Sequence, residues 1–167
     1  MPSTPPSPRA APRAALALPA PACSALALAA SALAALAIAA APALADTAQS
    51  LPSVEIRVGE ASLQVEIADD GEERYIGLGF RDRMDEGAGM LFVYPAERPL
   101  TFTMRDTRIP LSIAFVSKDL VINEIHDMPV GPNQLFPSER PAKYALETNL
   151  GWFERNGVEP GDRLALP

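Results

Sequence analysis

Three groups of side chains in this 167-residue sequence have the types and spacing to do chemistry. Arg105-Asp106-Thr107 lies between two apolar runs, which puts it in a turn at a sheet end. An arginine there offers a planar fork of donors to a carboxylate or a sugar hydroxyl, and the adjacent aspartate can accept from it. The same residues suit a purely local role, because Asp and Thr in turns bond nearby backbone N–H groups in Asx-type turns. The second group is Glu124 and His126, with Asp127 beside them. Two residues apart on a strand, Glu124 and His126 share a face, as an acid–base pair or two metal ligands would. A metal site needs three or four ligands at fixed spacing, and no completing set is recognisable. No metal is therefore expected, and His126, the only histidine, reads by default as exposed or at the core edge. The third is Arg81, in the charged run Phe80-Arg81-Asp82-Arg83-Met84, which faces either a ligand or solvent.

Other chemistries find less support. Asp106, Glu124, Asp127 and Glu147 could supply a carboxylate pair for glycoside hydrolysis, but among 21 acidic residues some pair nearly always converges. Ser112 and Ser117 sit on no nucleophile elbow, so a Ser–His–Asp arrangement with His126 has no sequence support. Neither a P-loop nor a Gly-rich dinucleotide turn occurs, and Gly77-Leu78-Gly79 lacks the strand-to-helix context. No cofactor is expected, and the catalytic residues, if any exist, are unknown.

The elements that must position these groups centre on Gly89–Val116, where three short runs rich in Phe, Val, Ile and Leu are separated by two polar turns. Short apolar runs bounded by Gly or Pro read as strands, with Phe92, Phe102 and Phe115 as core residues. Upstream, Val54, Ile56 and Val58 alternate with polar residues, as do Leu63, Val65 and Ile67. Gly59-Glu60 suits a II′ turn that sets Ile56 opposite Leu63 and Val54 opposite Val65. Asp70 with Glu73 forms a capping box, so a short helix is predicted to about Leu78, with Tyr75 and Leu78 facing the core. Ser117-Lys118-Asp119 turns the chain from Leu111–Val116 into a returning strand over Val121–Ile125. A long loop from Met128 to Pro141 then crosses the surface. A strand over Tyr144–Thr148, a helix over Asn149–Asn156 anchored by Trp152 and Phe153, and a last strand over Arg163–Leu166 complete the chain. The expectation is a mainly β domain with two short helices, a small partly open β-barrel or sandwich.

The N-terminus differs in composition. Arg9 and Arg13 precede an Ala/Leu-rich tract from Ser24 to Ala40, followed by Ala43-Leu44-Ala45. A positive segment, an apolar segment and an A-x-A site read as a secretory signal peptide over residues 1–45, cut after Ala45. An uncleaved anchor is the alternative, since the tract approaches the ~20 residues that a span needs. Cys23, the only cysteine, precedes the apolar tract, which argues against a lipoprotein, and it leaves with the peptide. Residues 46–167 then form a single periplasmic or secreted domain without a disulfide, held by its core and not inserted in the membrane. Its twelve basic against 21 acidic residues oppose binding to nucleic acid.

An ordered set of residues spans most of this domain: Arg74 with Gly77-Leu78, Arg81, Gly89-Met90-Leu91-Phe92, Phe102, Met104-Arg105, Thr107, Pro110-Leu111, Phe115, Leu146-Glu147, Gly151 and Gly161-Asp162. In these residues the chain resembles the family catalogued as domain of unknown function 192 (DUF192). The resemblance implies a small barrel-like β domain, often exported, with no assigned activity. Thr103 stands where the family usually has Trp, Asp106 where it has Asn, Ser112 where it has Asp, and Gly79 where it tends to have Met. The functional expectation is an exported binding or accessory module for a small polar ligand or a peptide, not an enzyme, with Arg105, Asp106, Thr107, Arg81, Glu124 and His126 as ligand-binding residues. A hydrolase of an envelope polymer and a structural partner of another envelope protein are the alternatives.

Overall fold

The computed structural model describes residues 47–131 and 134–167; the expected signal peptide, its cleavage site and Cys23 lie outside the described residues. Strands β1 (Ser53–Val58) and β2 (Ala61–Ala68) form the first hairpin, with Ile56 opposite Leu63 and Val54 opposite Val65 as the apolar alternation dictates. Of the two turn residues only Gly59 has a positive φ, 59°, which is what a II′ turn asks of its first position. Helix α1 (Gly71–Ile76) starts at a capping box: Glu73 N donates to the Asp70 carboxylate at 2.8 Å, and Asp70 N donates to the Glu73 carboxylate at 3.2 Å. This helix lies between β2 and the strand parallel to it, β3 (Ala88–Arg98).

The remaining strands of the main sheet are β5 (Leu111–Val116), β6 (Ile122–Met128), β8 (Ala142–Asn149) and β9 (Leu164–Ala165). Their order is β6-β5-β8-β3-β2-β1-β9, and the sheet curls into a half-barrel. A second, two-stranded sheet pairs β4 (Thr101–Thr103) with β7 (Leu135–Pro137). Helix α2 (Trp152–Arg155) completes the mainly β fold with two short helices.

The main sheet is covered on both faces, which is why β5 is buried at every position instead of alternating. One face carries Met90, Phe92, Ile113, Phe115 and Ala145 against Leu78, Leu100, Phe102 and Met104. The other carries Leu91, Ala114, Val116 and Leu146 against Trp152, Phe153 and Val158, together with Ile56, Val58, Leu63 and Val65 from the first hairpin.

Four local expectations are corrected. Helix α1 ends at Ile76, because Gly77 leaves helical geometry with φ 54°. Leu78 therefore enters the core from the turn, and Tyr75 faces outward, 72% exposed, because a helix that stops two residues early cannot bring both inward. The Met128–Pro141 segment is not all loop, since Leu135–Pro137 satisfies its backbone groups on β4. Helix α2 is shorter than Asn149–Asn156 because β8 runs on to Asn149, where its pairing with Leu111 continues the ladder.

The fourth correction concerns Arg81, which is sheltered and paired within the fold instead of solvated. Its NH1 and NH2 donate to the two Glu66 carboxylate oxygens at 2.7 and 2.9 Å, and NH2 also donates to Gln49 O at 2.8 Å. The two side chains are only 15% and 16% exposed. Leu51 N donates to the same carboxylate at 2.7 Å. Burial pushes the Glu66 carboxyl up, but the Arg81 bonds, the Leu51 N–H and the guanidinium charge outweigh it and hold the group below the usual range. Arg81 thus ties residues 49–51 to β2 through a bidentate, sheltered ion pair, in which either partner alone would be an uncompensated buried charge.

A candidate binding cavity beneath helix α1

The β4–β5 turn is built on strained backbone. Asp106 has φ 59°, and its carbonyl accepts from Phe80 N at 2.7 Å, where Phe80 has φ 63°. A positive φ is tolerated by Asp but costly for Phe, and such strain persists only where surrounding contacts impose it. The turn is closed by Thr107 N donating to Met104 O at 3.1 Å and Arg105 N donating to Thr103 Oγ1 at 3.2 Å. The Asx-type bond is absent, because the Asp106 carboxylate turns to Arg105 Nε at 3.4 Å. Both side chains stay half exposed, and the Arg105 guanidinium lies 4.9 Å from the centre of the Tyr75 ring.

Between this turn, the end of α1 and the main sheet lies a cavity of about 300 Å³. Arg105 and Thr107 line its mouth, with Arg74 and Tyr75 from α1. Arg74 is held in place by Asp69 O and Val93 O, to which its NH1 donates, and by the Tyr94 ring 5.1 Å away. Phe92 and Phe102 form apolar wall. Glu147 also lines the cavity, from the central strand β8, between Met90 and Ile113 in register.

Glu147 is 5% exposed, and no described side chain or backbone group bonds its carboxyl. Among the described residues only Arg81 Nε is both sealed and without a partner, so the Glu147 oxygens open on the cavity. Burial pushes this carboxyl up to about 8, which leaves it mostly protonated at neutral pH. Nearby, burial raises the Tyr94 phenol against the pull of the Arg74 and Arg98 guanidiniums, with the Glu147 charge adding to the rise.

The residues singled out in the sequence thus divide. Arg105 and Thr107 belong to the cavity, and Asp106 steadies Arg105 at its rim. Arg81 belongs to the core clamp. Glu124 and His126 do meet, His126 Nε2 lying 3.2 Å from Glu124 Oε2, but away from the cavity: Ile113 stands between His126 and Glu147 in the sheet, two strand spacings or about 10 Å apart. The other Glu124 oxygen accepts from Glu139 N at 2.8 Å, so this pair anchors the segment after β7. Asp127 points to the opposite face of β6 and accepts from Ser112 Oγ at 2.5 Å, while Gly151 N donates to that hydroxyl at 2.8 Å. Ser112 and His126 therefore cannot form a catalytic pair, and Asp127 faces away from Glu124 and Glu147. Among the described residues no three His, Cys, Asp or Glu side chains cluster as metal ligands would.

Sequence reasoning left Arg74 and Tyr94 out of the site and weighed Glu147 only as one of four carboxylates for hydrolysis. A stronger signal for Glu147 was present, because the expected strand Tyr144–Thr148 makes it an interior strand position directly after apolar Ala145 and Leu146. A charge at an inward position of a central strand is costly and tends to mark function.

The family model for DUF192, described as an uncharacterised ACR, matches residues 54–166. Among solved structures, a Sinorhizobium meliloti 1021 protein described as a candidate transcription regulator is similar, with 35% identity and a TM-score of 0.66 over 71% of this chain and 97% of that one. A protein of unknown function from Novosphingobium aromaticivorans DSM 12444 shares 31% identity with a TM-score of 0.65 over 70% of this chain and 86% of its own. No curated protein matches the sequence.

Proposed function

Because the chain belongs to the DUF192 family, whose description assigns no activity, we propose its role from its own cavity: an exported binding or accessory module that takes a small polar ligand or a peptide end beneath α1. The observation that carries this reading is Glu147, a buried carboxyl left without a protein partner and open to a cavity of ligand size. Buried polar groups are nearly always satisfied from within, so one left open in a cavity suits a bond supplied from outside. Arg105 at the mouth keeps its NH groups available to an anionic or hydroxyl-bearing ligand. Export is part of the proposal and rests on the tripartite N-terminal segment. The acidic excess speaks against nucleic acid as the ligand.

The test is a thermal-shift screen of sugars, small carboxylates and short peptides. A ligand at 100 times its Kd stabilises by about 2.7 kcal/mol, which in a domain of this size moves Tm by roughly 10 °C. Arg105→Ala is expected to abolish the shift while leaving the unliganded Tm nearly unchanged, since the side chain is half exposed. A shift that survives Arg105→Ala and Glu147→Gln alike would move the ligand out of this cavity and end the proposal.

A further inference from the structure

We propose that the cavity is built for a small zwitterion of the amino-acid or dipeptide class, its ammonium placed against Glu147 and its carboxylate against Arg105. The inference rests on the binding reading above and specifies the ligand for the same site. The charged groups that share the cavity with Glu147 are Arg74 from α1 and Arg105 from the β4–β5 turn, with the Tyr94 phenol from β3; its neighbours in register, Met90 and Ile113, are apolar. Neither guanidinium bonds it. Arg74 is committed to two backbone carbonyls, and Arg105 Nε faces Asp106. The protein thus holds a carboxyl at the floor and cations at the mouth without letting them meet.

That separation selects among ligands. A simple cation would reach the carboxyl only past two guanidiniums, which repel it. A simple anion would find its partner at the mouth and leave the Glu147 carboxyl as a neutral acid against apolar wall. A molecule carrying both signs complements both ends, and the desolvated carboxyl gains most from a full positive charge. The size agrees: about 300 Å³ holds roughly ten waters, close to the heavy-atom count of the smallest dipeptides.

The pairing has a proton signature. Glu147 is mostly protonated at pH 6.5 when the cavity holds no ligand, so an incoming ammonium must displace that proton to solvent. Calorimetric titration of the purified protein with glycyl dipeptides, each also in its N-acetyl form, reads this directly through buffers of different ionisation enthalpy. At least one free dipeptide is expected to bind with release of about one proton. N-acetylation should weaken it tenfold or more, and Glu147→Gln should weaken it similarly and remove the proton release. Equal affinity of capped and free forms, or binding without proton release, overturns the zwitterion assignment. Binding of sugars or simple carboxylates that depends on Arg105, with no dipeptide bound, overturns it while leaving the binding reading in place. Failure of every compound in both screens removes both.

Discussion

Replacing Glu147 by glutamine is expected to stabilise the protein at pH 9 by about 3–5 kcal/mol and to leave its stability at pH 5 unchanged within about 1 kcal/mol. Burial raises this carboxyl from an ordinary 4.5 to about 8, so between those values the folded chain holds a proton that the unfolded chain has lost. Stability then falls as pH rises from 4.5, and the loss is complete once pH exceeds the folded value. A tenfold change in a proton's affinity corresponds to about 1.4 kcal/mol, which sets the size of the effect. Glutamine has the same shape and never ionises, so it removes the slope. The Tyr94 phenol that shares the cavity does not confuse the result, because burial raises it from an ordinary 10, above the window. Glu66 acts at the other end with the opposite sign: its depressed carboxyl contributes stability above 4.5 that is lost as pH falls, equally in both proteins. Urea midpoints measured from pH 5 to pH 9 decide the matter. Parallel curves for wild type and Glu147→Gln would mean that Glu147 has a partner and is ionised in the fold.

The elements were legible in the sequence wherever a local rule set them. Alternation fixed the first hairpin and Gly59 fixed its turn, while Asp70 and Glu73 set the start of α1. The three phenylalanines were placed in the core by the apolar character of their runs. The site was legible only in part, for a physical reason. Arg105 and Thr107 stand out because a turn between strands must be exposed, but the difference between Arg81 and Arg105 is tertiary. Both are arginines in polar connections; Arg81 meets Glu66 from a distant strand, and Arg105 meets only its neighbour Asp106. The cavity itself is formed by residues from α1, β3, β4 and β8, and no short-range pattern reports such a convergence. The β7 strand escaped notice because three residues with Pro137 among them carry no period.

The largest loss of stability is expected from truncating the aromatic ladder that joins the two sheets. Phe92 and Phe102 meet edge to face with ring centres 4.9 Å apart, Phe102 and Phe115 follow at 5.8 Å, and His126 stands a further 5.8 Å beyond Phe115. Phe102 belongs to β4 and the other two phenylalanine rings to the main sheet, so the ladder helps hold the small sheet on the large one, together with Leu100 and Met104. Phe92→Ala and Phe115→Ala each remove a ring no more than 2% exposed, and each should cost about 3–5 kcal/mol in urea unfolding, from lost burial and from the void left behind. In a domain whose whole stability is of order 5–15 kcal/mol, either change approaches the limit of folding. The two variants separate packing from binding. Phe92 lines the cavity and supports the end of α1, where its ring lies 3.3 Å from the place a side chain on Gly77 would occupy. Phe115 lies beyond Phe102 in the ladder and does not line the cavity. Phe115→Ala, measured at a temperature where it stays folded, should therefore keep its ligand response, while Phe92→Ala should lose stability and response together. A cost below about 1 kcal/mol at Phe115 would show that the sheets are held by something other than this ladder.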